Sequence, residues 1–104
     1  MTIQFNADNN LTVHEEFRNK LTERLTLKLK RFSGNITRLE VHLSDENAGK
    51  QNGDDKKCLL EARLEGRQPI VVSAIANNYE ISLDAAIDKL KTSLDKVFDK
   101  FINH

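Results

Sequence analysis

Hydrophobic residues recur along this chain with two different periods, and the switches between them mark its elements. Ile3 and Phe5 alternate with polar neighbours in TIQFN, which predicts a short strand, and ADNN then turns the chain. Val13, Phe17, Leu21 and Leu25 repeat every four residues, the spacing of one buried helical face. Thr12 with Glu15 three residues on has the form of a capping box, so the helix is expected to start at Thr12 or His14. LTLKLK, residues 25–30, alternates with period two, yet no turn signal intervenes before FSGN. It is read as continued helix, with a register slip near Leu27 through a one-residue bulge. Ser33-Gly34-Asn35 ends the helix, with Gly34 suited to a left-handed cap.

Strict alternation follows. In ITRLEVHLS, Leu39, Val41 and Leu43 point one way and Arg38, Glu40 and His42 the other. CLLEARLE repeats the pattern, with Cys58, Leu60, Ala62 and Leu64 on the buried side. The polar stretch DENAGKQNGDDKK between them predicts a long hairpin loop with its tip near Asn52-Gly53. EGRQ is a second, tight turn, and Pro69 opens a further strand, IVVSAIA. A second amphipathic helix, capped by Asn78, runs to the chain end. The order is β-α-β-β-β-α. Each strand has one dry and one wet face, and two helices are available to cover the dry one. The expected fold is therefore α+β: a two-layer sandwich of a four-stranded mixed sheet with two helices packed on one face, forming a single domain over residues 1–104.

Composition narrows the functional classes. The 104 residues carry 16 basic and 16 acidic side chains, a formal net charge of zero, which argues against a generically basic nucleic-acid binder. Any such role must rest on where the charges sit. The single cysteine, Cys58, cannot form an internal disulfide and points to a reducing compartment. The start has no signal-peptide pattern and no apolar run reaches membrane length, so a soluble cytoplasmic protein is expected. His14, His42 and His104 are scattered, HEEF is not HExxH, and the glycines make no phosphate loop. Asp45, Glu46, Asp54 and Asp55 lack the spacing of a calcium loop. No enzyme, metal or cofactor is expected.

The charges of the second helix are sorted. On a wheel of about 100° per residue, Tyr79, Leu83, Ala86, Ile87, Leu90, Leu94, Val97, Phe98 and Phe101 form one stripe. Lys89, Lys96 and Lys100 share one flank with Ser93, while Asp84, Asp88, Asp95 and Asp99 share the other, where Lys91 is an exception. On the first helix Lys20, Arg24 and Arg31 lie along one flank, and Lys28 joins them if the register slips. From Val13 to Phe32 six basic residues stand against three acidic ones, a net +3. Two basic edges on one sheet face are expected to form a single positive groove suited to structured RNA, read by shape and phosphate. The six aromatics sit mostly at core spacings, which leaves no ladder for single-strand stacking.

HLSDENAGKQ, then DKKCLLEARLEGRQPIVVSA, then DAAIDKLKTSL, with NNLTVHEEFR near the first helix start, resembles the ribosome hibernation-promoting factor and ribosome-associated inhibitor family, also called sigma-54 modulation proteins. The resemblance spans essentially the whole chain and is strongest from Leu39 to Leu94. It implies the same β-α-β-β-β-α fold. It also implies a factor that occupies the mRNA/tRNA channel of the small ribosomal subunit and silences idle ribosomes in starvation or stationary phase. The implied partner is that subunit, through its rRNA and the ribosomal proteins beside it, with no membrane and no small-molecule substrate. By position, Lys89, Lys96, Lys100 and Arg24 carry over as rRNA contacts, and Lys20, Lys28 and Arg31 more loosely. Thr92 stands where the family commonly has Arg, and from Tyr79 to His104 four lysines face five acids, a net −1. The chain ends just after the helix, as expected of a short form without the dimerisation domain of long forms. The neutral charge also admits a protein-interaction regulator of the same fold that has lost RNA binding.

Overall fold

The computed structural model describes residues 1–7, 14–46 and 55–98. The elements are β1 (Thr2–Ala7), α1 (Glu15–Lys28), a 3₁₀ turn (Lys30–Phe32), β2 (Ile36–Asp45), β3 (Lys56–Leu64), β4 (Ile70–Ala76) and α2 (Tyr79–Phe98). They form one sheet in the order β1-β2-β3-β4. β1 runs parallel to β2, so α1 is the crossover between them, and β2, β3 and β4 form an antiparallel meander. This is the expected α+β architecture.

Register turns the alternating sequence into apolar rows across the sheet. Ile3, Leu39, Ala62 and Ile70 stand side by side, as do Phe5, Val41, Leu60 and Val72. Leu43, Cys58 and Ala74 make a third row. Leu21, Leu25 and Leu29 cover them from the α1 side, and Leu83, Ala86, Ile87, Leu90 and Leu94 from α2, all without solvent exposure. Each such leucine or isoleucine contributes about 1.5–3 kcal/mol by leaving water. Among the described residues the other sheet face carries no helix. There Arg63 Nε lies 3.2 Å from Glu40 and 3.1 Å from Glu61, which offsets the direct Glu40–Glu61 pairing across β2 and β3.

The end of α1 differs from the expected bulge. The buried residues are Leu21, Leu25, Leu29 and Phe32, so the four-residue period simply continues to Leu29 and then shortens to three in the 3₁₀ turn. No residue is inserted, and Leu27 faces solvent at 74% exposure. Gly34 is not a left-handed cap either. Ser33 N–H bonds to the Lys30 carbonyl at 3.2 Å and Asn35 N–H to that of Phe32 at 2.9 Å, which closes the turn without positive φ. The positive-φ glycine among the described residues is Gly66, at 71°, in the tight turn between β3 and β4. The structure gives α1 its N-cap at His14, with no side-chain cap bond. Thr12 of the expected capping box lies outside the described residues, as do Asn52-Gly53 of the hairpin tip and Phe101. Asn78 caps α2 as expected, its Oδ1 accepting from Ile81 N–H at 2.8 Å.

Candidate nucleic-acid interface

The two helices meet along a seam of opposite charges. Lys20 Nζ lies 2.6 Å from Glu80, and Arg24 and Lys28 both reach Asp84 at 3.2 Å. Arg31 donates to Asp95. All four cations expected on α1 and just beyond it therefore share one edge. Lys28 joins them as the i+4 neighbour of Arg24, with no register slip. Lys20 bonding and charge hold the Glu80 carboxyl below its usual range, and Arg24 adds to the effect.

The acidic flank of α2 is thus the one turned toward α1. The lysine flank lies on the opposite side of the apolar stripe, toward the sheet edge. Lys89 Nζ donates to the Ser73 carbonyl on edge strand β4 at 2.7 Å. Capping an open edge with lysine also blunts its tendency to pair with another chain. Lys96 is exposed, without an ion pair among the described residues, and Lys100 lies outside them. The basic edges of the two helices do not adjoin, so the expected single groove does not form along the seam. The basic edge of α1 is instead matched by carboxylates.

Two cations outside the sequence-derived set stand out. Lys30 on the 3₁₀ turn and Lys91 on α2 line one open cleft with Leu27, Lys28, Arg31 and Asp95. Lys91, the exception on the wheel, sits on the flank that faces the end of α1. Arg31 stacks over Phe32 with its guanidinium carbon 4.5 Å from the ring centre, and Phe32 meets Phe98 at 6.4 Å between ring centres. The aromatic contact fixes the 3₁₀ turn against the last turns of α2.

Other chemistry is quiet. Cys58 is fully buried, and burial pushes its thiol pKa up to about 12. Among the described residues no group of three or more His, Cys, Asp or Glu side chains is arranged to hold a metal ion. Asp45 and Asp55 both pair with Lys56, at 2.9 and 3.2 Å. No helix among the described residues is long and apolar enough to cross a membrane.

A family model described as sigma 54 modulation protein / S30EA ribosomal protein matches residues 3–101. The chain belongs to this family. Among solved structures, the N-terminal domain of Thermus thermophilus Protein Y aligns with a TM-score of 0.71 at 20% identity, covering 93% of this chain and 99% of that one. A ribosomal subunit interface protein from Coxiella burnetii aligns with a TM-score of 0.71 at 23% identity, covering 93% and 97%. At these identities the two structures bear on the fold, which they share with this S30EA-family chain. No curated protein sequence matches it. Set beside the family, the Asp-rich α2 noted in the sequence has a structural use: Glu80, Asp84 and Asp95 hold the cations of α1 and the 3₁₀ turn.

Proposed function

We propose that this chain is a non-enzymatic factor that binds small-subunit rRNA at the mRNA/tRNA channel and silences idle ribosomes under stress. The family match over residues 3–101 carries this reading. The structural likeness to a ribosomal subunit interface protein from Coxiella burnetii is in keeping with it. Lys20, Arg24, Lys28, Arg31, Lys89, Lys96 and Lys100 are the proposed phosphate contacts. Silencing then needs no chemistry. A folded domain held by rRNA phosphates fills the space that mRNA and tRNA require, and release follows when competing ligands or salt displace it.

The helix seam tempers how strongly each cation contributes. Lys20 and Arg31 keep 57% and 61% of their side chains exposed despite their ion pairs, so an ammonium or guanidinium edge still faces solvent. The neutral net charge and the matched seam favour, as a second reading, a regulator that binds protein and not RNA. One assay separates the two. Replacing Lys89, Lys96 and Lys100 together with Glu should abolish co-sedimentation with purified small subunits, and with it the inhibition of tRNA and mRNA binding. Normal binding by the folded triple variant would remove these lysines from the site, and no binding by the unaltered protein would favour the second reading.

A further inference from the structure

Charge along the seam is unevenly balanced. Toward the start of α2, Lys20, Arg24 and Lys28 meet Glu80 and Asp84, with Glu23 beside them on α1, three cations against three carboxylates. At the other end the cleft is lined by Lys28, already paired with Asp84, and by Lys30, Arg31 and Lys91, which face Asp95 as its one carboxylate, three against one once Lys28 is set against Asp84. Arg31 takes Asp95, which leaves Lys30 and Lys91 with no carboxylate partner among the described residues. Asp88 precedes Lys91 by three residues on the same flank but does not line the cleft. The C-terminus of α1 adds about −0.5 charge there, too little to cancel the surplus of +2.

We propose that this cleft is a phosphate-binding subsite for RNA, with Lys30 and Lys91 as its ligands and Arg31 as a third donor. It rests on the ribosomal reading above and adds two residues to the contacts proposed there. Lys30 comes from the 3₁₀ turn and Lys91 from α2, so a phosphate in the cleft would be held by two separate elements. Lys30 and Lys91 exchange only water and counterions for phosphate, whereas Lys20, Arg24, Lys28 and Arg31 each have a carboxylate partner that competes with it. Arg31, stacked on Phe32, has less freedom to lose on binding. Leu27, exposed at 74%, offers a sugar or base an apolar contact. Four of the six side chains that line the cleft are cations, and Leu27 is the one apolar residue among them. This suits an RNA backbone better than an acidic protein segment, whose docking surface would be expected to offer aromatic or larger apolar anchors.

The test pairs two measurements on the full chain. Pyrophosphate is titrated while backbone amide shifts are followed by NMR, and Lys30→Ala/Lys91→Ala is compared with Lys20→Ala/Arg24→Gln for binding to purified small subunits across a salt series. The expected result is a cluster of pyrophosphate shifts at Leu29–Phe32 and around Lys91. The first variant should lose about tenfold or more in affinity, with a salt slope shallower by about 1–2, and the second clearly less. Thermal melts confirm that both variants are folded. Equal binding by the Lys30/Lys91 variant and the unaltered protein overturns the proposal. So does a loss of subunit binding without any pyrophosphate shift in the cleft, which would assign these lysines to an acidic protein. If the unaltered protein binds no small subunits but pyrophosphate still shifts the cleft, the ribosomal reading fails and the phosphate subsite stands.

Discussion

Replacing Asp84 with Asn should weaken the fold and strengthen RNA binding at the same time. Asp84 accepts from Arg24 and Lys28, each at 3.2 Å, and its side chain is 36% exposed against 31% and 40% for theirs. At that exposure solvent screens the pairs, so each is worth about 0.2–1 kcal/mol and the two together about 0.5–1.5 kcal/mol. In a domain of this size a loss of about 1 kcal/mol lowers the Tm by about 4–8 °C. Asn keeps the shape and removes the charge, so the difference is electrostatic. Urea denaturation of Asp84→Asn, Arg24→Gln and the double variant closes a cycle whose coupling energy should be about 0.5 kcal/mol. The coupling should fade in about 1 M salt, where the screening length is only about 3 Å. The released Arg24 and Lys28 become available to phosphate, so affinity for small subunits should rise about two- to fivefold, the equivalent of about 0.5–1 kcal/mol. A coupling above about 2 kcal/mol that survives high salt would mean a desolvated pair, at odds with the partial exposure of all three side chains. No coupling at low salt, with unchanged subunit affinity, would mean that the seam does not form in solution.

Leu90→Ala, at the centre of the α2 stripe and without solvent exposure, should cost about 2–5 kcal/mol by chemical denaturation. Cys58 should react with thiol reagents under native conditions only as fast as the protein opens, and at the rate of a free thiol in urea. Its folded pKa of about 12 lies above the unfolded value, so stability should fall as pH rises from the unfolded thiol pKa towards 12, and Cys58→Ala should remove that part of the decline. Glu80 behaves in the opposite sense. Its folded pKa is lowered by Lys20, so its contribution is present above the unfolded glutamate value and lost as pH falls through the folded one. Glu80→Gln should flatten that acidic part of the stability curve, as read from melting temperature against pH.

The fold is legible in the sequence because period and burial agree. Alternation in Arg38–Leu43 and Cys58–Leu64 names the buried face directly, and a strand offset by one residue would expose every one of those side chains. The end of α1 is not legible in the same way, because Leu25, Leu27 and Leu29 look equivalent in sequence. Only packing shows that Leu27 is the exposed one, and a shift from α to 3₁₀ leaves no composition signal. The sorted charges of α2 can also be read directly, since a wheel fixes them within one helix. What a wheel cannot give is which flank of one helix meets which flank of another. That fact turns Asp84 and Asp95 into partners of Arg24 and Arg31 and sends Lys89 to the β4 edge. Lys30 and Lys91 escape sequence reasoning for the same cause: they lie 61 positions apart in sequence and become neighbours only across the seam. The one hint is Lys91 itself, the basic residue out of place on an acidic flank.

The most direct test of a phosphate-held ribosome factor is the salt dependence of its binding to purified small subunits. Four or more phosphate contacts at about 0.7–0.9 each predict a log–log slope of about −3 or steeper. Binding should therefore be firm at low salt and collapse as salt rises. A slope shallower than about −1, or no binding at low salt, would contradict the account.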